Sequence, residues 1–291
     1  MTERMRAALE GLSVGDAFGE QFFGPPGIVL ERIAERTAPA AAVWQWTDDT
    51  AMALAIALVL DAHGKVDRDA LATAFADRYR ADPMRGYGGT AHGILQAIGA
   101  GVPWAVAAGR VFDGQGSMGN GGAMRAAPIG AYFAGDLERT IAEARASAEP
   151  THAHPDGQAG AIAVAVAAAI ACRRPLVAGA ALLEEVVFHT PPGATRDGLA
   201  KALALPLTYD PRTAAAALGT GARVISSDTV PFALWCAARH LDSYEEAMWT
   251  TVSGLGDRDT TCAIAGGVVA CAVGVEGIPA TWRARREPLP R

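Results

Sequence analysis

The sequence has few cysteines, and none of them are spaced like a metal or redox motif. Its four cysteines contain no C-x-x-C pair, so the pattern favours reduced thiols over a disulfide framework or a zinc site. That usage is typical of a cytoplasmic protein, and we predict that location. The four are Cys172, Cys236, Cys262 and Cys271.

Clustered positive charge and membrane-length apolar runs are also missing. The net charge is −6, and the lysines and arginines are scattered along the chain. A nucleic-acid groove needs a dense basic face, so this class of protein is excluded. The aliphatic run AIAVAVAAAIAC (161–172) is too short to cross a bilayer. The sequence therefore predicts neither a nucleic-acid partner nor a membrane partner, and we expect a monomer.

Sustained alternation of β-branched and polar residues is absent, whereas alanine-rich segments with apolar residues three and four apart recur. Hydrophobic residues make up 51% of the chain, composition does not shift midway, and no long linker interrupts it. We predict an all-α protein with one compact multi-helix domain over residues 1–291. The predicted helices cover 3–18, 47–62, 68–80, 89–100, 102–109, 120–133, 137–148, 156–172, 179–188, 195–204, 211–220, 229–240, 243–252 and 259–274.

Glycines and prolines lie between these predicted helices. The segment DGQGSMGNGG (113–122) is unusual, because five of its ten residues are glycine. Such a loop before a helix is a candidate for close backbone approach to a ligand, although glycine-rich turns are also common without one. The segment GPPGIVLERIAERTAP (24–39) is predicted to be a loop.

Two acidic clusters precede strongly apolar helices that are more than two hundred residues apart. One interpretation is helix capping, because acids and hydroxyls accept hydrogen bonds from the first turn and favour its positive dipole end. A cap needs only one side chain, however, and each cluster offers two carboxylates plus hydroxyls. The first cluster is Thr47, Asp48, Asp49 and Thr50, and the second is Asp257, Asp259 and Thr260.

Metal binding is the other interpretation of these clusters. The following helices are apolar on nearly every face, so they should carry their acids into the interior, where carboxylates must be paired or metal-bound. Only Arg258 and Arg125 are at hand to offset charge. Oxygen ligands select Mg²⁺ or Mn²⁺, and four carboxylates suit two ions about 3.5–4 Å apart. Spacing and composition leave both interpretations open.

Six motifs give the chain a family resemblance. It resembles the ADP-ribosylglycohydrolase family, whose motifs occur here in the same order over nearly the whole length. These are GLSVGDAFG (11–19), WTDDTAMA (46–53), RGYGGT (85–90), GSMGNGGAMRAAPIG (116–130), THAHPDGQAGAI (151–162) and GDRDTTCAIAGGVVACAVG (256–274).

The resemblance implies a compact all-α fold with a central site for two Mg²⁺ or Mn²⁺ ions. It also implies hydrolysis of the glycosidic bond between ADP-ribose and an acceptor, which is a modified protein side chain or a small molecule. Asp48 or Asp49 would accept the proton of the attacking water. The implied metal ligands are Thr47, Asp48, Asp49, Asp257, Asp259 and Thr260.

The resemblance also assigns substrate-binding residues. Phe112 falls where an aromatic ring packs on the adenine side, and His152 matches a ribose-pocket histidine. By composition alone, Phe112 would be core filler and His154 a turn residue. His152 would be a helix-start residue or a hydrogen-bonded core group, and Arg125 a salt-bridge partner or a ligand contact, of which the salt bridge is favoured. The loop expected to hold the diphosphate and distal ribose comprises Gly116, Ser117, Met118, Gly119 and Asn120.

The chain departs from the family pattern at one catalytic position. Many relatives carry a glutamate seven residues after the Asp of the first GD motif, where this chain has Phe23. Glu20 lies one turn earlier if the helix continues, so it is a candidate replacement. The sequence equally allows Glu20 to point to solvent or to pair with a cation such as Arg32. This departure leaves the acceptor class open.

The missing glutamate also motivates an alternative function, that of an ADP-ribose-binding protein with weak or no catalysis. A protein that keeps only the fold is a further alternative, and the six retained metal ligands speak against it. A phosphohydrolase is the last, because sites with two Mg²⁺ ions often serve phosphoryl transfer.

Overall fold

Helices make up the regular secondary structure of the computed structural model, which describes residues 1–290. Within this range the only extended pairings are two isolated bridges, Trp44–Arg286 and Gly119–Ile225. The helices are α1 Glu3–Glu20, α2 Pro26–Glu35, α3 Asp48–His63, α4 Arg68–Ala81, α5 Gly89–Gly99, α6 Trp104–Gly109, α7 Gly121–Met124, α8 Ala127–Tyr132, α9 Leu137–Ala148, α10 Pro155–Ala171, α11 Gly179–His189, α12 Ala194–Ala204, α13 Pro211–Leu218, α14 Ser226–Arg239, α15 Tyr244–Val252, α16 Arg258–Val273 and α17 Ala280–Arg285, with a 3₁₀ turn at Val275–Gly277 before α17.

The first and the last long helices cross at backbone contact. Gly11, Gly15 and Gly19 recur every four residues, so they share one face of α1. A methyl group added at Gly15 would lie within 3 Å of the Cys262 carbonyl, and one at Gly19 would lie within 3 Å of the Arg258 carbonyl. Glycine at these positions lets α1 and α16 pack closer than any side chain would permit.

Three helices are buried on almost all sides. In α10 every residue from Ala159 to Ala171 is buried, and α3 and α16 are nearly as enclosed. One connected hydrophobic cluster runs from Met5 to Trp282. The predictions of an all-α fold and of one compact domain are therefore confirmed by the described residues.

An aromatic cluster fixes the C-terminal helix against α1. The rings of Phe18 and Trp282 stack with centroids 4.5 Å apart, and Trp44 and Trp249 contact the same pair at angles. The sequence-based prediction ended the helices near Val275 and therefore missed α17.

Two further predictions about local structure were wrong. The segment predicted as a loop after Gly24 contains α2, which begins with Pro26 in its first turn and buries Val29 and Ile33 on one face. The helix predicted over 120–133 is instead two short helices, α7 and α8. Proline is favoured in the first turn of a helix and breaks a helix interior, and Pro128 stands at the start of α8.

No helix among the described residues is long and apolar enough to span a membrane.

Candidate active site

A cavity of about 880 Å³ opens where α3 and α16 begin. The start of α5, the glycine-rich loop before α7, the segment before α10 and the turn before α14 complete its wall. Six short segments distant in sequence therefore meet around one space. Its lining includes Asp48, Asp49, Met52, Gly86, Phe112, Gly116, Ser117, Met118, Gly119, Asn120, Arg125, Thr151, His152, Arg223, Val224, Asp257, Asp259 and Thr260.

At the start of α3, one residue caps the helix and two carboxylates follow it. Thr47 Oγ1 accepts a 3.4 Å hydrogen bond from the Asp49 N–H, so the hydroxyl performs the capping role. The Asp48 N–H donates to the Arg85 carbonyl at 2.7 Å. Both aspartate side chains are buried and line the cavity. Thr47 does not line it, because its hydroxyl also donates to Asp16 Oδ1 at 2.9 Å.

Asp16 is a buried carboxylate that sequence reasoning did not single out. Its oxygens accept hydrogen bonds from the N–H of Thr47 at 2.9 Å and the N–H of Thr50 at 3.1 Å. They also accept from both hydroxyls, at 2.9 and 2.5 Å. Asp16 thus joins α1 to the first turn of α3. In the sequence it appears as one acid of a GD pair within the otherwise uncharged stretch GLSVGDAFG (11–19).

At the start of α16 the carboxylates do not cap the helix. Asp257 occupies the N-cap position but accepts no capping hydrogen bond. Its Oδ2 instead accepts from Asn120 Nδ2 at 2.7 Å, which ties the glycine-rich loop to this helix. Thr260 Oγ1 lies 3.5 Å from Asp49 Oδ2. The two acidic clusters therefore meet across the cavity floor, and capping does not account for them.

The four cavity aspartates, Asp48, Asp49, Asp257 and Asp259, form no salt bridge within residues 1–290. Burial and the neighbouring aspartates raise the pKa of Asp48 and Asp49 well above their usual range. Burial raises the pKa of Asp259 to about 6, and burial together with Asp259 raises that of Asp257 to about 7. Within residues 1–290, Asp49 Oδ1 and Asp259 Oδ1 are buried and have no hydrogen-bond partner. Buried oxygens of this kind require a proton or a cation.

Neither arginine considered from the sequence pairs with these aspartates. Arg125 is fully buried and donates from Nη2 to the Ser147 carbonyl and to Thr151 Oγ1, so the salt-bridge role expected for it is wrong within residues 1–290. Arg258 donates to the Phe22 carbonyl at 2.8 Å, and its guanidinium lies over the Phe23 ring. Within residues 1–290, therefore, neither arginine forms an ion pair with these aspartates.

The donor types fit a hard divalent cation. Carboxylate and hydroxyl oxygens are the ligands preferred by Mg²⁺ and Mn²⁺, and two of the carboxylate oxygens here are orphaned. No group of three or more His, Cys, Asp or Glu side chains in the described chain is already arranged to hold a metal ion. The types of ligand atom therefore suit Mg²⁺ or Mn²⁺, although the side chains are not already arranged around one metal position.

The glycine-rich loop lines the side of the cavity next to α10. Gly116 adopts φ 77°, and a methyl group there would lie 2.6 Å from the His154 N–H nitrogen, so only glycine fits. Phe112 is 58% exposed and Met118 is 38% exposed, so both stand at the rim, and the core-filler interpretation of Phe112 is wrong. Ser117 Oγ accepts from the Gly119 N–H at 3.1 Å.

The two histidines of the THAHP segment have different environments. His152 is buried and lines the cavity, with Nδ1 2.7 Å from Thr151 Oγ1. His154 is the N-cap of α10, and its Nδ1 accepts from the Asp156 N–H at 3.0 Å. It is therefore a helix cap rather than the turn residue expected.

Glu20 lies beside the cavity but does not line it. Helix α1 ends at this residue, two residues after its predicted end, so Glu20 and position 23 do not lie on one continuous helix. Phe23 is 47% exposed. Burial, and then the charge of Asp257, raises the pKa of the half-buried Glu20. The charge of Asp257 therefore acts on Glu20, but a catalytic role for the Glu20 carboxylate stays a prediction.

Fold and cavity together define a helical protein with a carboxylate-lined cavity. A model of the ADP-ribosylglycohydrolase family matches residues 1–289, and the chain belongs to this family.

Similar proteins match over nearly the whole chain. ADP-ribosylhydrolase ARH3 of Danio rerio is 27% identical, covering 97% of this chain and 86% of its own length. The ADP-ribosyl-[dinitrogen reductase] glycohydrolase of Rhodospirillum rubrum is 26% identical, with 96% and 89% covered. A solved structure titled ADP-ribosylglycohydrolase-related protein complex superposes with a TM-score of 0.69 at 26% identity, covering 96% of this chain and 90% of that one.

Proposed function

We propose that this protein hydrolyses the glycosidic bond between ADP-ribose and an acceptor, releasing ADP-ribose, with Mg²⁺ or Mn²⁺ as cofactor. The observation that carries the proposal is the meeting of two remote acidic helix starts on the floor of one cavity, seen in the contact between Thr260 and Asp49. The family supports it, and so do the two relatives whose printed names describe ADP-ribosyl hydrolysis.

Two divalent cations would be held by the residues at the two helix starts. When bound, they would neutralise the buried carboxylates and polarise oxygen atoms at the reacting carbon. The orphaned oxygens of Asp49 and Asp259 are the best support for their binding. The proposed ligands are Asp48, Asp49, Asp257, Asp259 and Thr260, which line the cavity, together with Thr47, whose hydroxyl would have to release its hydrogen bond to Asp16.

Asp48 is the carboxylate best placed to accept a proton from the attacking water. Asp49 Oδ2 contacts the hydroxyls of Thr47 and Thr260. Asp48 makes no side-chain hydrogen bond to the rest of residues 1–290, yet it faces the cavity, so its oxygens are available to water. The transition state of glycoside hydrolysis resembles an oxocarbenium ion, and ionised carboxylates beside it stabilise the developing positive charge.

The glycine-rich loop would orient the substrate. Backbone N–H groups of such loops bind phosphate oxygens, and Gly116 allows the loop to pass against α10 without a side chain in the way. Asn120 donates a hydrogen bond to Asp257, so the loop that would bind the diphosphate is tied directly to one of the cavity carboxylates. Phe112 and Met118 at the rim offer apolar contact to the adenine ring.

The proposal is tested by measuring ADP-ribose release from arginine-linked, serine-linked and O-acetyl-linked ADP-ribose, with Mg²⁺, with Mn²⁺ and with a chelator. We expect cation-dependent release from at least one substrate class. Asp48→Asn and Asp259→Asn should each lower the rate by about 100-fold or more. The matched control is Asp77→Asn, whose exposed carboxylate pairs only with Arg80. Full activity in either site variant, or AMP as the product, would reject the mechanism.

The position of Glu20 keeps a second candidate in view, an ADP-ribose-binding protein with little catalysis. Glu20 does not line the cavity, and Phe23 occupies the position where many relatives carry their glutamate. Calorimetric binding of ADP-ribose without turnover of any of the three linkages would establish this candidate.

A further inference from the structure

A hydrogen-bonded chain of three side chains runs through the cavity wall beside the glycine-rich loop. Arg125 Nη2 lies 2.7 Å from Thr151 Oγ1, and Thr151 Oγ1 lies 2.7 Å from His152 Nδ1. All three residues are buried, and all three line the cavity. The carboxylates of the cavity floor take no part in this chain.

The first link has a fixed direction. A guanidinium has only donors, so Thr151 Oγ1 must accept from Arg125. The Thr151 hydroxyl can then donate one hydrogen bond, either to His152 Nδ1 or to the Ala148 carbonyl oxygen, which is 3.4 Å away.

The Ala148 carbonyl oxygen is a poor acceptor for this hydrogen bond. It already accepts the N–H groups of Thr151 at 3.0 Å and His152 at 2.8 Å, which occupy its two lone pairs. The contact to Nδ1 is also 0.7 Å shorter (3.4 against 2.7 Å). The Thr151 hydroxyl therefore donates to His152 Nδ1.

This direction determines which ring nitrogen carries the proton. A neutral imidazole that accepts at Nδ1 is protonated at Nε2. The ring is neutral, because burial and the nearby Arg125 charge lower the pKa of His152 to about 3. Nε2 faces the glycine-rich loop, where methyl groups added at Gly119 and Gly121 would lie 3.3 and 3.4 Å away. It has no hydrogen-bond partner among the described residues.

We propose that Arg125 and Thr151 are positioning residues that fix His152 as a hydrogen-bond donor, through its Nε2–H, to an acceptor oxygen of the bound ligand. His152 then binds the ligand and does not act as a base. That the ligand is ADP-ribose rests on the proposed function, whereas the direction of the hydrogen-bond chain does not. An unfilled donor beside the N–H groups of a glycine loop suits a phosphate or ribose oxygen.

The direct test is the tautomer of His152, read from two-bond ¹⁵N–¹H correlations of ¹⁵N-histidine-labelled protein and assigned with His152→Gln. We expect the Nε2–H tautomer in the wild type at pH 7. Thr151→Val keeps the shape but removes the hydroxyl, so it should give a tautomer mixture and weaken ADP-ribose binding about 3- to 10-fold by calorimetry. Thr151→Ser should restore both properties.

The outcomes separate this inference from the proposed function. A wild-type His152 protonated on Nδ1, or Thr151→Val with unchanged tautomer and affinity, would overturn the inference. Should the wild type fail to bind ADP-ribose, the proposed function would be in error, and the wild-type tautomer would still decide the direction of the chain. Should Thr151→Val fold poorly, the wild-type spectrum and Thr151→Ser provide the decision.

Discussion

Asp16 shows how a single buried carboxylate can hold a site together without facing the ligand. It accepts backbone and side-chain hydrogen bonds from both Thr47 and Thr50. These residues flank Asp48 and Asp49, so the orientation of both cavity carboxylates depends on it. Four donors also explain why its pKa, raised by burial to about 6, is not raised further.

We predict that Asp16→Asn destabilises the protein and weakens Mn²⁺ binding together. An amide replaces one acceptor oxygen with a donor, which would face N–H or O–H groups at a cost of about 1–3 kcal/mol in the free energy of unfolding. Urea denaturation and Mn²⁺ calorimetry measure the two effects. Asp210→Asn is the control, because asparagine caps a helix about as well as aspartate and Asp210 is exposed. Wild-type values for Asp16→Asn would refute this role.

At this scale the sequence identified the residues that meet at the cavity but not the partners that hold them. Asp48, Asp49, Asp257 and Asp259 stood out because each cluster offers two carboxylates, which is more than a helix cap needs. Asp16 did not, because its partners are 31 and 34 residues away and a single acid has no local pattern. Whether Arg125 contacts a carboxylate or a hydroxyl is likewise decided by tertiary packing alone.

Among the helices, the crossing of α1 and α16 places the two acidic clusters face to face. The glycine face of α1 packs along α16 from Arg258 to Ala270, and Asp16 lies next to Gly15 in that contact. The α16 acids and the anchor of the α3 acids therefore approach each other because three glycines allow two backbones to touch.

We predict opposite effects for two Gly→Ala substitutions. In Gly15→Ala the new methyl group would meet the Cys262 backbone, which cannot move aside, so α1 and α16 must separate at a cost of about 1–3 kcal/mol or more. In Gly93→Ala the methyl group meets nothing within 4 Å inside α5, so the variant should be stabilised by up to about 1 kcal/mol. Thermal unfolding compares the two, and equal melting temperatures would contradict this account of the crossing.

Helix existence could be read from periodicity, but some helix ends could not. The strongly apolar α3, α10 and α16 were predicted with accurate positions. Two prolines and a glycine led to the prediction of a loop where α2 lies, although proline in a first turn is compatible with a helix. The end of α1 was predicted at residue 18 and lies at Glu20, but the pattern could not decide whether Glu20 and position 23 share one helix.

For the molecule as a whole, the uncompensated acids predict a characteristic dependence of stability on pH. Burial raises the folded-state pKa of Asp16 and Asp259 to about 6 and that of Asp257 to about 7, above the value of 3.8 that an unfolded chain would show. The folded state therefore binds protons more tightly, so ionisation between pH 4 and 7 favours unfolding.

In chelator, we expect the melting temperature to fall by roughly 5–10 °C as the pH rises from 5 to 8. Added Mn²⁺ should remove most of the fall at pH 8, because a cation bound only by the folded state stabilises it. Asp257→Asn with Asp259→Asn should flatten the profile. The prediction would be contradicted by a melting temperature that rises with pH in chelator, or by one that Mn²⁺ does not change at pH 8. Differential scanning calorimetry provides the measurement.

The most direct test of the central claim is an anomalous difference map from crystals grown with saturating Mn²⁺. If the acids of the two helix starts jointly hold divalent cations, the map will show strong peaks between the Asp48 and Asp49 side chains on one side and those of Asp257 and Asp259 on the other. A map with no peak at these carboxylates would contradict the account.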